Sequence, residues 1–122
     1  MLSELFLMLI LLQVKHWYID FVNQSEQEVQ WKGTYLDWRG MKHSVKHGLA
    51  TMLIMCFFID FPSALVLGVF DSIAHYHIDW AKMNINKKYN YTIENPKFWA
   101  WLGADQLAHQ ITYIGLVWLL FV

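Results

Sequence analysis

The stretch 61–82, FPSALVLGVFDSIAHYHIDWAK, decides how the rest of the chain reads. It has a proline at its second position, runs through an apolar tract, and then places Asp71, His75 and Asp79 at successive intervals of four, with Lys82 three residues on. On a helix, residues at i and i+4 share one face. About 20 mostly apolar residues suffice to cross a bilayer core. Ionisable groups within such a span turn toward the bundle interior or water. The spacing therefore predicts a membrane helix with an inward polar stripe. His77 is two residues out of phase with that stripe, so it is expected to cap, face headgroups or contact substrate.

Working outward, three more segments have a similar character. The expected spans are about 2–22, 44–61, 63–80 and 98–122, with a tight turn at Pro62. Polar loops occupy about 23–43 and 81–97. The expected fold is all-α: a polytopic transmembrane four-helix bundle of up-down topology, forming a single domain over 1–122. Residues 1–14 are apolar but lack a basic leader and a small-residue cleavage site, so they read as a retained span. The composition agrees. The chain is 57% hydrophobic and contains seven Trp, eight Phe and six Tyr, more than a small water-soluble domain hides easily. The Trp and Tyr residues near the span ends read as interfacial belts.

All nine Lys and Arg residues fall in the two long loops or the helix ends that feed them. The side with the termini and the Pro62 turn has Glu4 and Asp60 but no cation. By the positive-inside rule, the loops face the cytoplasm and both termini face away. A net charge of −1 predicts no nucleic-acid partner. The lone Cys56 lies in an apolar run, excludes an internal disulfide or a cysteine zinc knuckle, and is expected to be a buried small hydrophobe.

The i, i+4 pairing recurs on all four spans: His16–Asp20, His43–His47, His75–Asp79 and Asp105–His109. Up-down topology brings these pairs to one depth, near the loop side. Facing helices that each offer His and carboxylate groups at helical spacing are how bundles build metal sites. The expected ligands are His16, Asp20, His43, His47, His75, Asp79, Asp105 and His109. The ion is expected to be divalent, zinc first, with iron or manganese as alternatives. Buried His–Asp pairs that only fix helix packing are the plain alternative.

Four segments, KHWYIDFVNQ at 15–24, HSVKHG at 43–48, HYHIDWAK at 75–82 and DQLAHQ at 105–110, resemble the DUF3307 family of small bacterial and bacteriophage membrane proteins. The resemblance spans nearly the whole chain. It implies a polar set of Asp20, Gln24, His47, His75, Asp79, Lys82, Asp105, Gln106 and His109, and no established activity. A looser similarity links the chain to membrane-bound metal-dependent hydrolases.

These readings converge on a metal-dependent hydrolase acting on a lipid or lipid-linked phosphate at the cytoplasmic side of a bacterial inner membrane, or of the host membrane for a phage-encoded chain. Asp79 or Asp20 is the expected general base, and Lys82 the residue that holds the substrate anion. The alternatives are a non-catalytic membrane protein acting on a host or partner protein, and an ion or proton transporter. Haem ligation by two facing histidines fits the accompanying aspartates less well. A homo-oligomer is compatible with all of them. The sequence has no glycine-rich nucleotide loop and no nucleophilic-serine motif.

Overall fold

The computed structural model describes residues 1–122 and is helical throughout, with no strand. Four long helices and one short helix follow in order: α1 (Leu2–Trp17), α2 (Glu26–Trp31), α3 (Trp38–Met55), α4 (Phe61–Tyr89) and α5 (Pro96–Trp118). α1 continues into a π-helical turn at Tyr18–Val22, and α5 ends in a 3-10 turn at Leu119–Phe121.

Local chemistry explains the helix starts. Ser25 and Glu28 form a reciprocal capping box at α2, with the Ser25 hydroxyl accepting from the Glu28 N–H at 3.2 Å and Glu28 Oε2 accepting from the Ser25 N–H at 2.8 Å. Asp37, Asp60 and Asn95 cap α3, α4 and α5 through their side-chain oxygens. Pro62 and Pro96 sit in first helical turns, where the missing N–H costs nothing. Asn90, with φ 53°, closes α4 in the left-handed conformation.

The long helices close into a ring. α1 packs on α3 and α5, and α4 packs on the same two helices from the other side. Neighbours run antiparallel: Gly48 meets Gly68, His109 meets Asp79, and His16 meets Gln106. Toward the chain termini the core is apolar, with Met8, Leu12, Met55, Ala64, Leu67, Leu116 and Val117 around Tyr113. Toward the loops it is polar, holding five histidines, four aspartates, Glu28, Lys15 and Lys32. The outside is the reverse. Ile10 and Val14 of α1, Leu49 and Leu53 of α3, Val66, Val69 and Ile73 of α4, and Ile111 and Ile114 of α5 are all exposed.

Several expectations change. Only the first of the four expected spans, Leu2–Val22, is long and apolar enough to cross a membrane by length and composition. α3, α4 and α5 are not, because polar residues lower their mean hydropathy: Arg39, Lys42, His43, Lys46 and His47 in α3, Asp71, His75, His77 and Asp79 in α4, and Asp105, Gln106, His109 and Gln110 in α5. The first loop is partly helical, since it holds α2 and the opening of α3. α4 runs through Tyr89, well into the expected second loop, because 81–89 contains neither Gly nor Pro to stop it. Its Asn84 side chain donates to the Gly33 carbonyl at 2.9 Å and fastens the first loop to α4. The turn before α4 begins after Met55, so Pro62 starts a helix rather than ending one. Cys56, expected to be buried, is exposed where α3 ends.

Candidate metal centre

Each helix delivers its pair to one place. On α1, His16 is buried and Asp20 follows on the π-helical turn, where the Asn23 N–H donates to the Tyr18 carbonyl at 2.8 Å. Isolated π turns are rare and often mark functional sites. This one leaves Asp20 buried while Phe21 stays exposed. On α3, α4 and α5 the helical interval of four suffices, and His43, His47, His75, Asp79, Asp105 and His109 are all nearly inaccessible.

Their Nε2 atoms point toward a shared centre. Asp20 Oδ1 lies 2.8 Å from His47 Nε2, 2.9 Å from His43 Nε2 and 3.6 Å from His75 Nε2. His43 and His75 bring their Nε2 atoms within 3.3 Å of each other. Four ligands about 2.0–2.1 Å from one ion in tetrahedral geometry stand about 3.3–3.4 Å apart. The His43–His75 and His75–Asp20 approaches are near that spacing, while His47 and His43 meet Asp20 at hydrogen-bond distance and would move apart by a few tenths of an ångström around an ion. Nδ1 of His47 and of His75 has no hydrogen-bond partner, so the polar contacts of both rings are made at Nε2. The His47 and His75 rings stack at 3.6 Å, and His75 and His109 at 3.9 Å, which keeps them parallel.

A second group adjoins the first. Asp79 Oδ2 lies 3.3 Å from His75 Nε2 and 3.4 Å from His43 Nε2, while Oδ1 lies 3.2 Å from His109 Nε2. Asp105 Oδ2 is 3.5 Å from the same His109 nitrogen. The two candidate metal groups are thus Asp20, His43, His47 and His75, and His75, Asp79 and His109.

Charge separates them. Lys15 pairs with Asp71 at 2.8 Å, and Lys46 with Glu28 at 2.5 Å. Lys32 faces Asp79 at 3.4 Å, and Lys82 faces Asp105 at 3.4 Å. Asp20 has no lysine or arginine within ion-pair distance and meets only imidazoles. These imidazoles hydrogen-bond the Asp20 carboxylate but bring no fixed counter-charge, which a bound cation would supply. The donor set and the charge therefore both fit a divalent ion at Asp20, His43, His47 and His75.

Residues 7–122 match the family described as "Protein of unknown function (DUF3307)". The chain belongs to that family. No curated protein matches it, and no solved structure does.

In this DUF3307 chain, seven of the eight expected ligands share the two groups or their immediate rim; His16 stands apart. Both His16 nitrogens are engaged by protein, Nε2 with Gln106 Oε1 at 2.7 Å and Nδ1 with the Tyr113 hydroxyl at 2.8 Å. It touches the far oxygen of Asp20 at 3.2 Å and so orients that carboxylate from behind. Gln24 accepts from Lys32 at 3.0 Å and donates to the Asp20 carbonyl at 2.9 Å. His77 is exposed on the outer face, bonded to the Ile73 carbonyl and to Tyr35. His77→Ala is accordingly expected to leave bound metal unchanged, as elemental analysis of the purified variant would check.

Glu28, Lys32 and Lys15 are buried beside the site, and nothing in the sequence places them there. The S-x-x-E pattern at 25–28 marks a helix start, but it could not aim Glu28 at His43 Nδ1, 3.5 Å away. Burial by itself would raise the Glu28 carboxyl. The ammonium of Lys46 and the Ser25 backbone and hydroxyl outweigh that effect and hold it at about 2. No local signal brings Lys32 inward, since its place is set by the short helix α2 that it follows in the first loop.

Proposed function

We propose that this protein is a metal-dependent hydrolase embedded in a bacterial inner membrane, holding its ion at Asp20, His43, His47 and His75. The observation that carries the proposal is the approach of three imidazole Nε2 atoms to one buried carboxylate oxygen that has no lysine or arginine within ion-pair distance. A divalent ion held there would supply Lewis-acid polarisation and a nucleophile near neutral pH. Asp20 then serves as a ligand, which leaves Asp79 as general base. Asp79 Oδ2 accepts no hydrogen bond and lies 3.3 and 3.4 Å from two of the ligand nitrogens, in position to take a proton from the attacking water. Lys82, only partly buried at the rim, is the group that meets the substrate anion. A lipid or lipid-linked phosphate is the substrate class suited to that depth.

The inverted distribution of polar and apolar residues supports a multi-pass arrangement. Each long helix turns aliphatic side chains outward, while the charges are paired inside. Lipid removes the cost of the first feature, and internal pairing meets the cost of the second. With every cation except buried Lys15 near the loops, those loops face the cytoplasm and the termini face away.

A second reading is favoured by the burial of all four ligands. A closed set of four protein ligands is typical of structural ions. The ion would then fix helix packing in a non-catalytic protein that acts on a partner.

The test begins with protein purified from membranes in mild detergent without chelator. Elemental analysis is expected to find zinc, iron or manganese near one ion per chain, falling at least tenfold in folded His47→Gln. Protein free of metal before and after reconstitution would overturn the metal reading. The loaded protein is then given lipid phosphate esters in mixed micelles beside Asp79→Asn. Turnover in wild type alone supports hydrolysis, whereas bound metal with no turnover selects the structural reading.

A further inference from the structure

Two groups of side chains in the core have metal-ligand spacing, yet their charges differ. The first group holds one carboxylate, Asp20, and no lysine reaches it. Around the second stand two carboxylates and two lysines. Lys32 Nζ lies 3.4 Å from Asp79 Oδ2, and Lys82 Nζ lies 3.4 Å from Asp105 Oδ2 and 4.0 Å from Asp79 Oδ1. Both lysine side chains are largely withdrawn from solvent, at 7% and 11% exposure. They come from different elements: Lys32 follows the short α2 in the first loop, and Lys82 lies on α4.

We infer that the ammonium groups of Lys32 and Lys82 stand in for a second ion, so that the centre takes a single divalent ion and its Asp79–Asp105 half is neutralised by the two lysines. Three observations support this. First, two lysines against two aspartates bring that half to neutrality, and adding a divalent ion would leave two buried positive charges in excess. Second, His75 Nε2 belongs to both groups and has one lone pair, so a second ion would lose that ligand to the first. Third, the atoms left over still look like a cation site. Asp79 Oδ2 and Asp105 Oδ1 are buried without hydrogen-bond partners, and His109 Nε2 lies 3.2 and 3.5 Å from the two aspartates. The lysines meet the charge requirement of those oxygens without meeting their geometry.

The consequence is a division of labour that rests on the first group being the metal site. Asp20, His43, His47 and His75 hold the ion. Asp79 and Asp105 remain free of metal, and the lysines keep their charge in check. The first loop completes the centre by delivering Lys32, with Gln24 Oε1 accepting a second bond from its Nζ at 3.0 Å.

The test is a difference in stoichiometry. Wild type, Lys32→Met, Lys82→Met and the double variant are loaded with Zn2+ or Mn2+, desalted, and measured as metal per chain. The double variant is expected to bind one ion more than wild type, and Asp105→Asn in that background to remove the extra ion. If the double variant folds poorly, Lys32→Met alone is expected to show a second, weaker binding step in titration with Mn2+. An equal count in wild type and the folded lysine variants overturns the inference, and so does a wild type that already holds two ions. The difference is read independently of the wild-type count. A wild type without metal whose double variant gains one ion refutes the proposed metal centre while upholding the role of the lysines.

Discussion

Lys15→Met is expected to destabilise the fold by about 3–5 kcal/mol, the range for removing one partner of a buried ion pair. Lys15 and Asp71 are 4% and 1% exposed, and their contact is 2.8 Å. Lys15 Nζ also donates to Thr51 Oγ1 at 3.0 Å and to the His47 carbonyl at 3.4 Å, so one ammonium ties α1 to α3 and α4. Methionine keeps most of the volume and removes the charge. Asp71 then retains only the Thr51 hydroxyl, at 2.5 Å. Thermal melting in detergent, followed by circular dichroism, would measure the loss. Lys15→Met with Asp71→Leu is expected to recover most of it, because an apolar pair leaves no charge stranded. A single variant as stable as wild type would show that the Lys15–Asp71 pair adds nothing to stability.

Gly48→Leu is expected to separate α3 from α4 and take the metal centre apart with them. A Cβ on Gly48 would lie 2.6 Å from the Gly68 carbonyl oxygen and 2.7 Å from Ser72 Cβ. A Cβ on Gly68 would lie 2.6 Å from the Gly48 carbonyl oxygen. The obstacle is backbone on both sides, so no side chain can swing away. Overpacking of this kind costs about 1–3 kcal/mol and sometimes more. The site adjoins the contact: His47 is the next residue on α3, and His75 lies two turns along α4 from Gly68. The 3.6 Å stacking of His47 on His75 depends on this close approach. The variant is expected to melt at lower temperature and to lose bound metal together with its fold. Gly103→Ala is the control, since nothing lies within 4 Å of the new Cβ. It is expected to be neutral, or stabilising by up to about 1 kcal/mol through helix propensity. Equal behaviour of the two variants would rule out helix contact as the reason for Gly48.

The helices and the convergence of the His–Asp pairs were legible in the sequence because both depend on periodicity. An interval of four fixes a helix face whatever packs against it, so Asp71, His75 and Asp79 share a stripe on any helix containing them. Capping chemistry is equally local, as at Ser25 and Asn95. The spans were drawn less well. Apolar content alone did not reveal that α4 would continue through Tyr89, or that polar side chains spread along α3 and α5 would leave Leu2–Val22 as the one helix apolar enough to cross a membrane by composition.

Tertiary structure decided what stands between the pairs. Both His16 and His47 reach Asp20, yet both nitrogens of His16 are engaged by Gln106 and Tyr113, whereas His47 meets the carboxylate with Nε2 and has no partner at Nδ1. Lys15 and Lys32 read as cations at helix ends and in a loop, but both are buried against aspartates distant in the chain. Such pairings follow from which helices are neighbours, and no spacing within one helix encodes that. By itself, the sequence determined an all-helical chain with an i, i+4 pair of histidine and aspartate on three of the long helices and of two histidines on the fourth. Only the packed ring decided which carboxylate was left without a lysine, because charge balance in a buried site depends on groups from every helix that lines it.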